Sequence, residues 1–433
     1  MSRFHRPAIA VLAIGLASIA HAADNSASTA KQIKYPAIAT ATAARVLGEF
    51  NGVKVYGGGF GSALAADPRA PGYFYLLTDR GPNVDSTDSS KKVFPVPSFT
   101  PQIGRFKLQG DKLVQVGVIE IKDPTGRKIT GLPNPDNGNT GEIAVDLQDK
   151  PLGTDAWGLD SEGLVALKDG TFWISDEYGP WMVHVDAKGK IMERVGPFSG
   201  APGAKSLPKV LALRRANRGM ESLTVTPDGK YLVGMMQNPV DNPSPAIRKE
   251  SRLNRIVFYD PKTGASWQYA YLMDAVSSVV SEIAAVTNTT FIVSERDQLF
   301  AGDPKSPAKV KRIYKIDIAG ASDISDPADS RNGRMVNGKT LEQLNEGELK
   351  SASIVPVSKE LVVDLLALPG GYPHDKSEGL AVINDRLIAV SNDDDFGISP
   401  DGKGGITTKN LPGMNNAVDM NRIYFIKLDK PLK

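Results

Sequence analysis

The hydrophobic residues of this chain fall in short runs of four to seven, rich in β-branched and aromatic types and separated by Gly, Pro, Asp or Asn. This pattern is typical of strands joined by tight turns, whereas helical periodicity is scarce. The clearest set follows Ser161 and comprises runs at 163–167, 171–175, 182–186 and 191–195. Four antiparallel strands with such short connections form one blade of a β-propeller, so the pattern predicts an all-β propeller fold.

A sequence repeat extends this prediction along the chain. Four of five similar segments open with a glutamate, namely Glu162, Glu221, Glu282 and Glu378, and a weaker fifth copy without it starts at Ser62. The glutamates are 59, 61 and 96 residues apart, which corresponds to one blade per copy with insertions in the longest interval. Two further apolar runs at 104–108 and 113–121 indicate a diverged extra blade. We therefore predict six blades of four antiparallel strands, or seven if the 96-residue interval contains another.

The N-terminus is typical of a secretory signal peptide. Arg3 and Arg6 precede an apolar run at 8–20, which is too short to span a bilayer. Residues 20–22 then fit a small-x-small cleavage site. We predict a signal peptide over 1–22, a flexible mature N-terminus over 23–45 and a single propeller domain over 46–433. The protein is then expected in the periplasm or outside the cell.

Composition excludes several classes of function. Without residues 1–22, 49 basic and 49 acidic residues balance, so no net charge draws the chain to nucleic acid or anionic lipid. The chain contains no cysteine, which excludes thiol catalysis and cysteine metal sites. Only His184 and His374 follow the signal peptide, so a three-histidine zinc site is excluded as well. We expect a monomer that acts on a small anionic ester, with no nucleic-acid partner and no membrane span after signal cleavage.

Carboxylates are expected to converge at one mouth of the channel, because the first strand of each propeller blade lines it. The acids that close the second strands, including Asp176, Glu177 and Asp393, should lie at the same rim. Crowded carboxylates raise one another's pKa unless a cation neutralises them, and oxygen ligands without histidine or sulfur favour Ca²⁺, with Mg²⁺ as the alternative. The predicted ligands are Glu162, Asp176, Glu221, Glu282, Glu378 and Asp393. Alternatively, each Ser-Glu pair hydrogen-bonds the backbone of the neighbouring blade and only locks the ring.

Basic residues occur at matched places in the repeat. Arg80 and Arg296 follow second strands, and Arg218 precedes Glu221. An arginine beside a carboxylate-bound cation makes a two-part receptor for an anion, and phosphate fits such a receptor well. His374 lies in a loop shortly before the last glutamate and is a further candidate for substrate binding. The alternative is that each arginine only forms salt bridges with the rim acids.

Several longer segments point to a known family. They read TDRGPN at 78–83, DGTFWISDEYGP at 169–180, NRGMESL at 217–223, SERD at 294–297 and SEGLAV at 377–382. With these segments the chain resembles the phytase-like, "esterase-like activity of phytase" family of exported bacterial proteins. The resemblance implies a β-propeller, secretion and hydrolysis of phosphate or other esters, with calcium as the candidate cofactor. The chain lacks the Asp-Pro-Ala-Ile-Trp type of segment of the calcium-dependent propeller phytases, so phytate is not the expected substrate.

Three hypotheses of function follow. The first is a calcium-dependent hydrolase of phosphoric or other esters, in which one of four carboxylates activates water and the arginines stabilise the developing charge. The candidate bases are Glu162, Glu177, Glu221 and Glu378, and the candidate substrate-binding residues are Arg80, Arg218, Arg296 and His374. The second is a single-metal carboxylester or lactone hydrolase. The third is a non-enzymatic periplasmic binding or scaffold propeller, in which every acid at the channel mouth is paired.

Overall fold

The short apolar runs pair into antiparallel units of four strands. The computed structural model describes residues 33–42, 45–135, 141–198, 205–215 and 217–433, so the predicted signal peptide over 1–22 lies outside the described residues. Within the described part, Tyr35–Lys433 forms one unit in which five four-stranded blades surround a central channel. The prediction of an all-β propeller is therefore confirmed.

Each blade runs from an innermost strand at the channel to an outermost strand at the periphery. From inside to outside, the strands are Ala63–Ala66, Tyr73–Leu77, Gln102–Gln109 and Lys112–Glu120 in blade 1; Ser161–Ala166, Phe172–Asp176, Trp181–Val185 and Ile191–Val195 in blade 2; Met220–Val225, Leu232–Met236, Leu253–Tyr259 and Ser266–Leu272 in blade 3; Val279–Ala285, Thr290–Arg296, Lys311–Asp317 and Ser358–Asp364 in blade 4; and Leu380–Asn384, Leu387–Ser391, Arg422–Lys427 and Ile38–Ala41 in blade 5.

The first and the last strand of the propeller pair with each other and close the ring. Ile38–Ala41 pairs antiparallel with Arg422–Lys427, with Ala39 opposite Ile423, and so completes blade 5. The same strand also pairs in parallel with Lys112–Glu120, which joins blades 5 and 1 into one eight-stranded sheet. The chain has no disulfides, so the ring is closed by this pairing of its first strand with its last strand.

The predicted number of six blades is wrong, because the structure has five in the residues it describes. The apolar runs at 104–108 and 113–121 belong to the third and fourth strands of blade 1, and no blade separates them from blade 2. The 96-residue interval holds a long excursion before the outer strand Ser358–Asp364 of blade 4, and no seventh blade. The predicted start of the propeller at residue 46 is too late, since Ile38–Ala41 is a strand of blade 5.

Aromatic and aliphatic side chains fill the space between adjacent blades. Tyr75 of blade 1 packs edge-on against Phe172 of blade 2 with ring centroids 5.0 Å apart, and Phe258 of blade 3 packs in the same way against Phe291 of blade 4 at 5.8 Å. Burial of one such side chain stabilises the fold by roughly 1.5–3 kcal/mol. The packed sheets therefore form a rigid support for the residues at the ends of the inner strands.

The remaining elements are insertions between the blade strands. The short strands form the pairs Val46–Phe50 with Val53–Tyr56, Met335–Val336 with Lys339–Thr340, Ile398–Pro400 with Ile406–Thr408, and Asn410–Leu411 with Ala417–Val418, and a small sheet of Val84–Asp85, Lys91–Val93 and Ile143–Val145. The helical segments are the α-helix Glu346–Ser351 and the 3₁₀ turns Lys209–Leu213, Pro245–Lys249, Leu341–Gln343, Leu365–Ala367, Asp395–Gly397 and Pro412–Met414. Among the described residues, no helix combines the length and the apolar composition needed to cross a bilayer.

Candidate functional site

A cavity of about 440 Å³ lies at one mouth of the channel. Three of the four repeated glutamates line it: Glu162 and Glu221 are the second residues of their inner strands, and Glu378 lies two residues before the inner strand of blade 5. The fold thus brings together carboxylates that are far apart in the sequence. Glu177, Asp393, Arg80, Arg218 and Arg296 line the same cavity.

Local backbone irregularity accompanies the glutamates. In blades 2, 3 and 4, the pairing of the first and second strands shifts register at the glutamate, between Ser161 and Leu164, between Met220 and Ser222, and between Val280 and Glu282. A bulge of this kind bends a strand and changes the direction of a side chain. In these three blades the repeated glutamate therefore lies at a bulge of the inner strand, whereas in blade 5 the shift comes later, between Val382 and Asn384.

Asp160, Glu162 and Glu177 form the tightest acidic group of the cavity. One carboxylate oxygen of each lies within 4.8 Å of the others. Asp160 and Glu177 are buried, whereas Glu162 keeps partial contact with solvent. Three hard oxygen ligands at this spacing suit Ca²⁺ or Mg²⁺. Asp160 was not among the predicted ligands, although it directly precedes the repeated Ser-Glu pair in blade 2.

Burial raises the pKa of several of these carboxyl groups. Burial and then the charge of Glu221 raise the pKa of both Glu162 and Glu177 well above the ordinary value. Burial together with Glu378 raises the pKa of Glu221 to about 8, and burial together with Asp160 raises the pKa of Asp79 to about 7. Without a cation, these groups therefore hold protons near neutral pH.

Four carboxylate oxygens of the cavity lining have no hydrogen-bond partner among the described residues: Oδ2 of Asp160, Oε2 of Glu221, Oδ1 of Asp375 and Oε2 of Glu378. Asp160 Oδ2 lies 3.5 Å from Arg80 Nε, and Asp375 Oδ1 lies 2.8 Å from Lys409 Nζ. Glu221 and Glu378 are 2% and 5% exposed. A buried ionised oxygen without a partner is costly, so Glu221 needs a proton or a cation, whereas the charge of Glu378 is already offset by Arg296. Together with the group of Asp160, Glu162 and Glu177, this donor set fits a hard divalent cation.

The arginines are partly engaged with these acids. Arg80 is buried, and its Nη1 donates to Glu142 Oε1 at 2.7 Å while its Nε lies 3.5 Å from Asp160 Oδ2. Arg296 forms an ion pair with Glu378, but its Nε has no partner in the described part of the chain.

Arg218 is the most accessible of the three arginines. Its side chain is 25% exposed, and Nη1 lies 3.6 Å from Glu177 Oε1. Gln237 bridges the pair, because it accepts from Arg218 and donates to Glu177 at 2.9 Å. The predicted alternative of salt bridges to rim acids therefore applies to all three arginines, and Arg218 is the one most open to an anion.

Two predicted ligands do not line the cavity. Asp176 accepts hydrogen bonds from the backbone of Asp160 at 2.7 Å and of Gly179 at 3.1 Å, so it holds the loop that carries the acidic group. Glu282 accepts from the backbone of Ile283 at 3.0 Å and of Leu223, in the neighbouring blade, at 3.4 Å. The ring-locking alternative thus describes Glu282, because its carboxylate is occupied by backbone donors.

His374 does not lie at the cavity either, although it was predicted to bind substrate. Its side chain is fully buried, with Nδ1 2.7 Å from Asp419 Oδ1 and Nε2 2.8 Å from Tyr424 Oη. Burial lowers the pKa of His374, so the neutral ring donates one hydrogen bond and accepts the other. The loop presents Asp375 and Lys376 to the cavity in its place.

Replacing His374 by Phe is expected to lower the free energy of unfolding by about 2–4 kcal/mol, because the buried carboxylate of Asp419 loses a partner. Ca²⁺ affinity is expected to stay the same, since the ring does not reach the cavity. Urea denaturation and calorimetric titration measure the two quantities. His184→Phe, at a half-buried histidine outside the cavity, is the control with the smaller loss. A stable His374→Phe protein with weakened Ca²⁺ binding would contradict this assignment.

Asp395 also lines the cavity, as expected for the acidic run 393–395 that follows a second strand, although only Asp393 of this run was a predicted ligand. Asp395 has a φ of 47° and is followed by Phe396 with a φ of 57°, so two non-glycine residues in succession adopt the left-handed conformation. Phe396 is buried against Phe99 with ring centroids 5.0 Å apart, which anchors the turn. Burial raises the pKa of Asp395, but Lys376 and Lys409 outweigh it and hold this pKa below its ordinary value. This carboxylate therefore stays ionised beside the cavity.

A family model described as "Phytase-like: Esterase-like activity of phytase" matches residues 56–396. The chain belongs to this family. The match covers every acidic and basic residue of the cavity lining, from Asp79 to Asp395. It ends before the strand Ile398–Pro400, which also lines the cavity.

The relatives of this phytase-like protein carry little further information. An uncharacterized secreted protein of Arthroderma benhamiae is 28% identical over 257 residues, which are 47% of this chain and 50% of that protein. The chain thus matches about half the length of this relative. The PQQ-bound aldose sugar dehydrogenase of Streptomyces coelicolor is 10% identical over 87% of this chain and 85% of that one, with a TM-score of 0.33. Virginiamycin B lyase of Staphylococcus aureus is 12% identical over 86% of this chain and 85% of that one, with a TM-score of 0.30.

Proposed function

We propose that this phytase-like protein is an exported hydrolase of phosphoric esters that depends on a divalent cation, with Ca²⁺ as the first candidate. The observation that carries the proposal is the close acidic group of Asp160, Glu162 and Glu177 in the same cavity as Glu221, whose Oε2 has no partner among the described residues. The signal-like N-terminus and the secreted relative support export.

The proposed roles follow from position. Asp160, Glu162 and Glu177 would hold the cation, which supplies Lewis acidity and a water of lowered pKa. In hydrolysis, a water oxygen bonds to phosphorus, the bond to the alcohol oxygen breaks, and the leaving alcohol takes a proton from the solvent. Oε2 of Glu221 accepts the proton of the water, a role that contributes roughly 10²–10⁴-fold in other enzymes. Arg218 and the free Nε of Arg296 offset the charge on the phosphoryl oxygens.

A carboxylester or lactone hydrolase is the second candidate. It is favoured by the pairing of Arg80 and Arg296 with acids, which leaves less positive charge for a phosphoryl group. A scaffold propeller would have all its mouth acids paired, whereas Glu221 and Glu378 each keep an oxygen without a partner in the described residues. The unpaired oxygens support a binding or catalytic role over scaffolding.

Chelation is expected to abolish hydrolysis of 4-nitrophenyl phosphate, because the cation holds the reacting groups together. The mature protein, stripped with EDTA, is assayed on 4-nitrophenyl phosphate and 4-nitrophenyl acetate, each without metal, with Ca²⁺ and with Mg²⁺. Restoration by Ca²⁺ of phosphatase activity supports the first candidate. Cation-dependent cleavage of the acetate alone supports the second. Full phosphatase activity in excess chelator would overturn the cation requirement.

A further inference from the structure

Part of the cavity wall is apolar and comes from the insertions outside the repeat. Val84, Phe300, Ile398 and Pro400 line the same cavity as the acids. Val84 and Ile398 are buried, with 5% and 1% exposure, so Phe300, which is only partly buried, and the exposed Pro400 offer the accessible apolar surface. The cavity thus combines a carboxylate-rich part with an aromatic contact surface.

The loop that carries Phe300 is fixed by hydrogen bonds. The carbonyl of Phe300 accepts from the backbone of Ala308 at 3.0 Å. Asp297 accepts from the backbone of Lys309 at 2.6 Å and of Val310 at 3.0 Å, which closes the base of the loop. The aromatic ring is therefore presented by a preformed segment, as a specificity surface requires.

The charge of the cavity restricts the number of anionic groups that it can accept. Its lining holds ten carboxylates and five Lys or Arg side chains. A single divalent cation offsets only part of this excess, so each additional phosphate on a substrate meets further repulsion. The volume of about 440 Å³ suits one small molecule.

From these features we propose that the cavity selects esters with a single anionic group on an apolar, aromatic-sized leaving group, and that Phe300 contacts this leaving group. The inference rests on the proposed function for the reacting group, and it adds the class of substrate. It excludes polyphosphorylated alcohols as preferred substrates.

Steady-state kinetics of the Ca²⁺-loaded protein test the selection. We expect Phe300→Ala to raise the KM for phenyl phosphate roughly tenfold and to leave kcat/KM for glycerol 2-phosphate unchanged. Phe50→Ala, at a half-buried phenylalanine outside the cavity, should change neither. Inositol hexakisphosphate should have the lowest kcat/KM of the three substrates. An equal loss on both monoesters, or a preference for the hexakisphosphate, would overturn the inference.

Ligand binding separates this inference from the proposed function. The binding of phenylphosphonate and methylphosphonate, which are not hydrolysed, is measured by calorimetry in the presence of Ca²⁺. We expect the protein to prefer phenylphosphonate roughly tenfold and Phe300→Ala to remove the preference. If no ester is turned over, the proposed hydrolase fails while this preference still supports a binding site of the stated selectivity. Equal binding of the two phosphonates overturns the selectivity, whatever the turnover.

Discussion

Replacing Glu162 by Gln is expected to weaken Ca²⁺ binding by roughly 100-fold or more and to lower kcat/KM for a phosphate monoester by roughly 10²–10⁴-fold. The substitution keeps the volume of the side chain but removes one of the three carboxyl groups whose oxygens lie within 4.8 Å of one another and would ligate the cation. In chelator, the variant should be at least as stable as the parent, because burial and the charges of Glu221 and Asp160 raise the pKa of Glu162 and make its carboxyl take up a proton on folding, whereas glutamine is neutral in both states. Calorimetric titration with Ca²⁺ and initial-rate kinetics measure the two losses.

The matched control is Glu282→Gln. It makes the same chemical change at the equivalent position of the repeat, but this carboxylate accepts from backbone donors and lies outside the cavity lining. We expect Ca²⁺ affinity to be retained and thermal stability to change instead. Equal loss of Ca²⁺ affinity in both variants would show that the repeat, rather than the group of Asp160, Glu162 and Glu177, defines the ligand set.

The sequence predicts the fold class well because both of its signals are local. Apolar runs and Asp-Gly turns specify hairpins, and the repeat specifies how often they recur. The number of blades was missed because it depends on pairing between distant segments. Ile38–Ala41 has no repeat signature of its own, and it becomes a strand by pairing with Arg422–Lys427 at the other end of the chain. Likewise, Gln102–Gln109 lies 24 residues beyond the second strand of blade 1, so its apolar run resembles the start of a new unit.

The candidate site likewise contains residues that the sequence predicts and residues that it does not. Glu162, Glu221 and Glu378 follow from the repeat, because equivalent positions in a propeller meet at one mouth. Glu282 occupies the equivalent position of the repeat, yet its side chain accepts a hydrogen bond from the backbone of Leu223 and does not line the cavity. The difference depends on side-chain direction after a bulge, which the spacing of residues does not encode.

Loops supply the acidic cavity residues that were not among the predicted ligands. Asp160 and Asp395 stand in connecting segments whose conformation depends on tertiary partners. Asp395 in particular forms ion pairs with Lys376 and Lys409, which are 19 and 14 residues away in the chain. These ion pairs determine the direction of the side chain, and the sequence alone does not show which pairs form.

The stability of the cation-free protein is expected to fall as the pH rises from about 5 to about 8, and saturating Ca²⁺ is expected to reverse this trend. In the folded state, burial raises the pKa of Glu221 to about 8 and that of Asp79 to about 7, whereas in the unfolded chain these groups ionise near pH 4. The folded state therefore binds more protons throughout this window, and the free energy of unfolding decreases with pH. Asp395, whose pKa is held low, acts only below the window.

A bound cation favours the ionised carboxylates, so binding releases protons and stabilises the folded state increasingly as the pH rises. Melting temperatures in EDTA and in excess Ca²⁺, recorded from pH 5 to pH 8.5, measure both slopes. Glu221→Gln should flatten the slope in EDTA, because the variant has no proton to lose there, whereas Glu49→Gln, at an exposed glutamate, should leave it unchanged. If Glu221→Gln and its parent show the same slope in EDTA, the carboxyl of Glu221 is not protonated in the folded protein, and the energetic need for a cation at this mouth of the channel disappears with it.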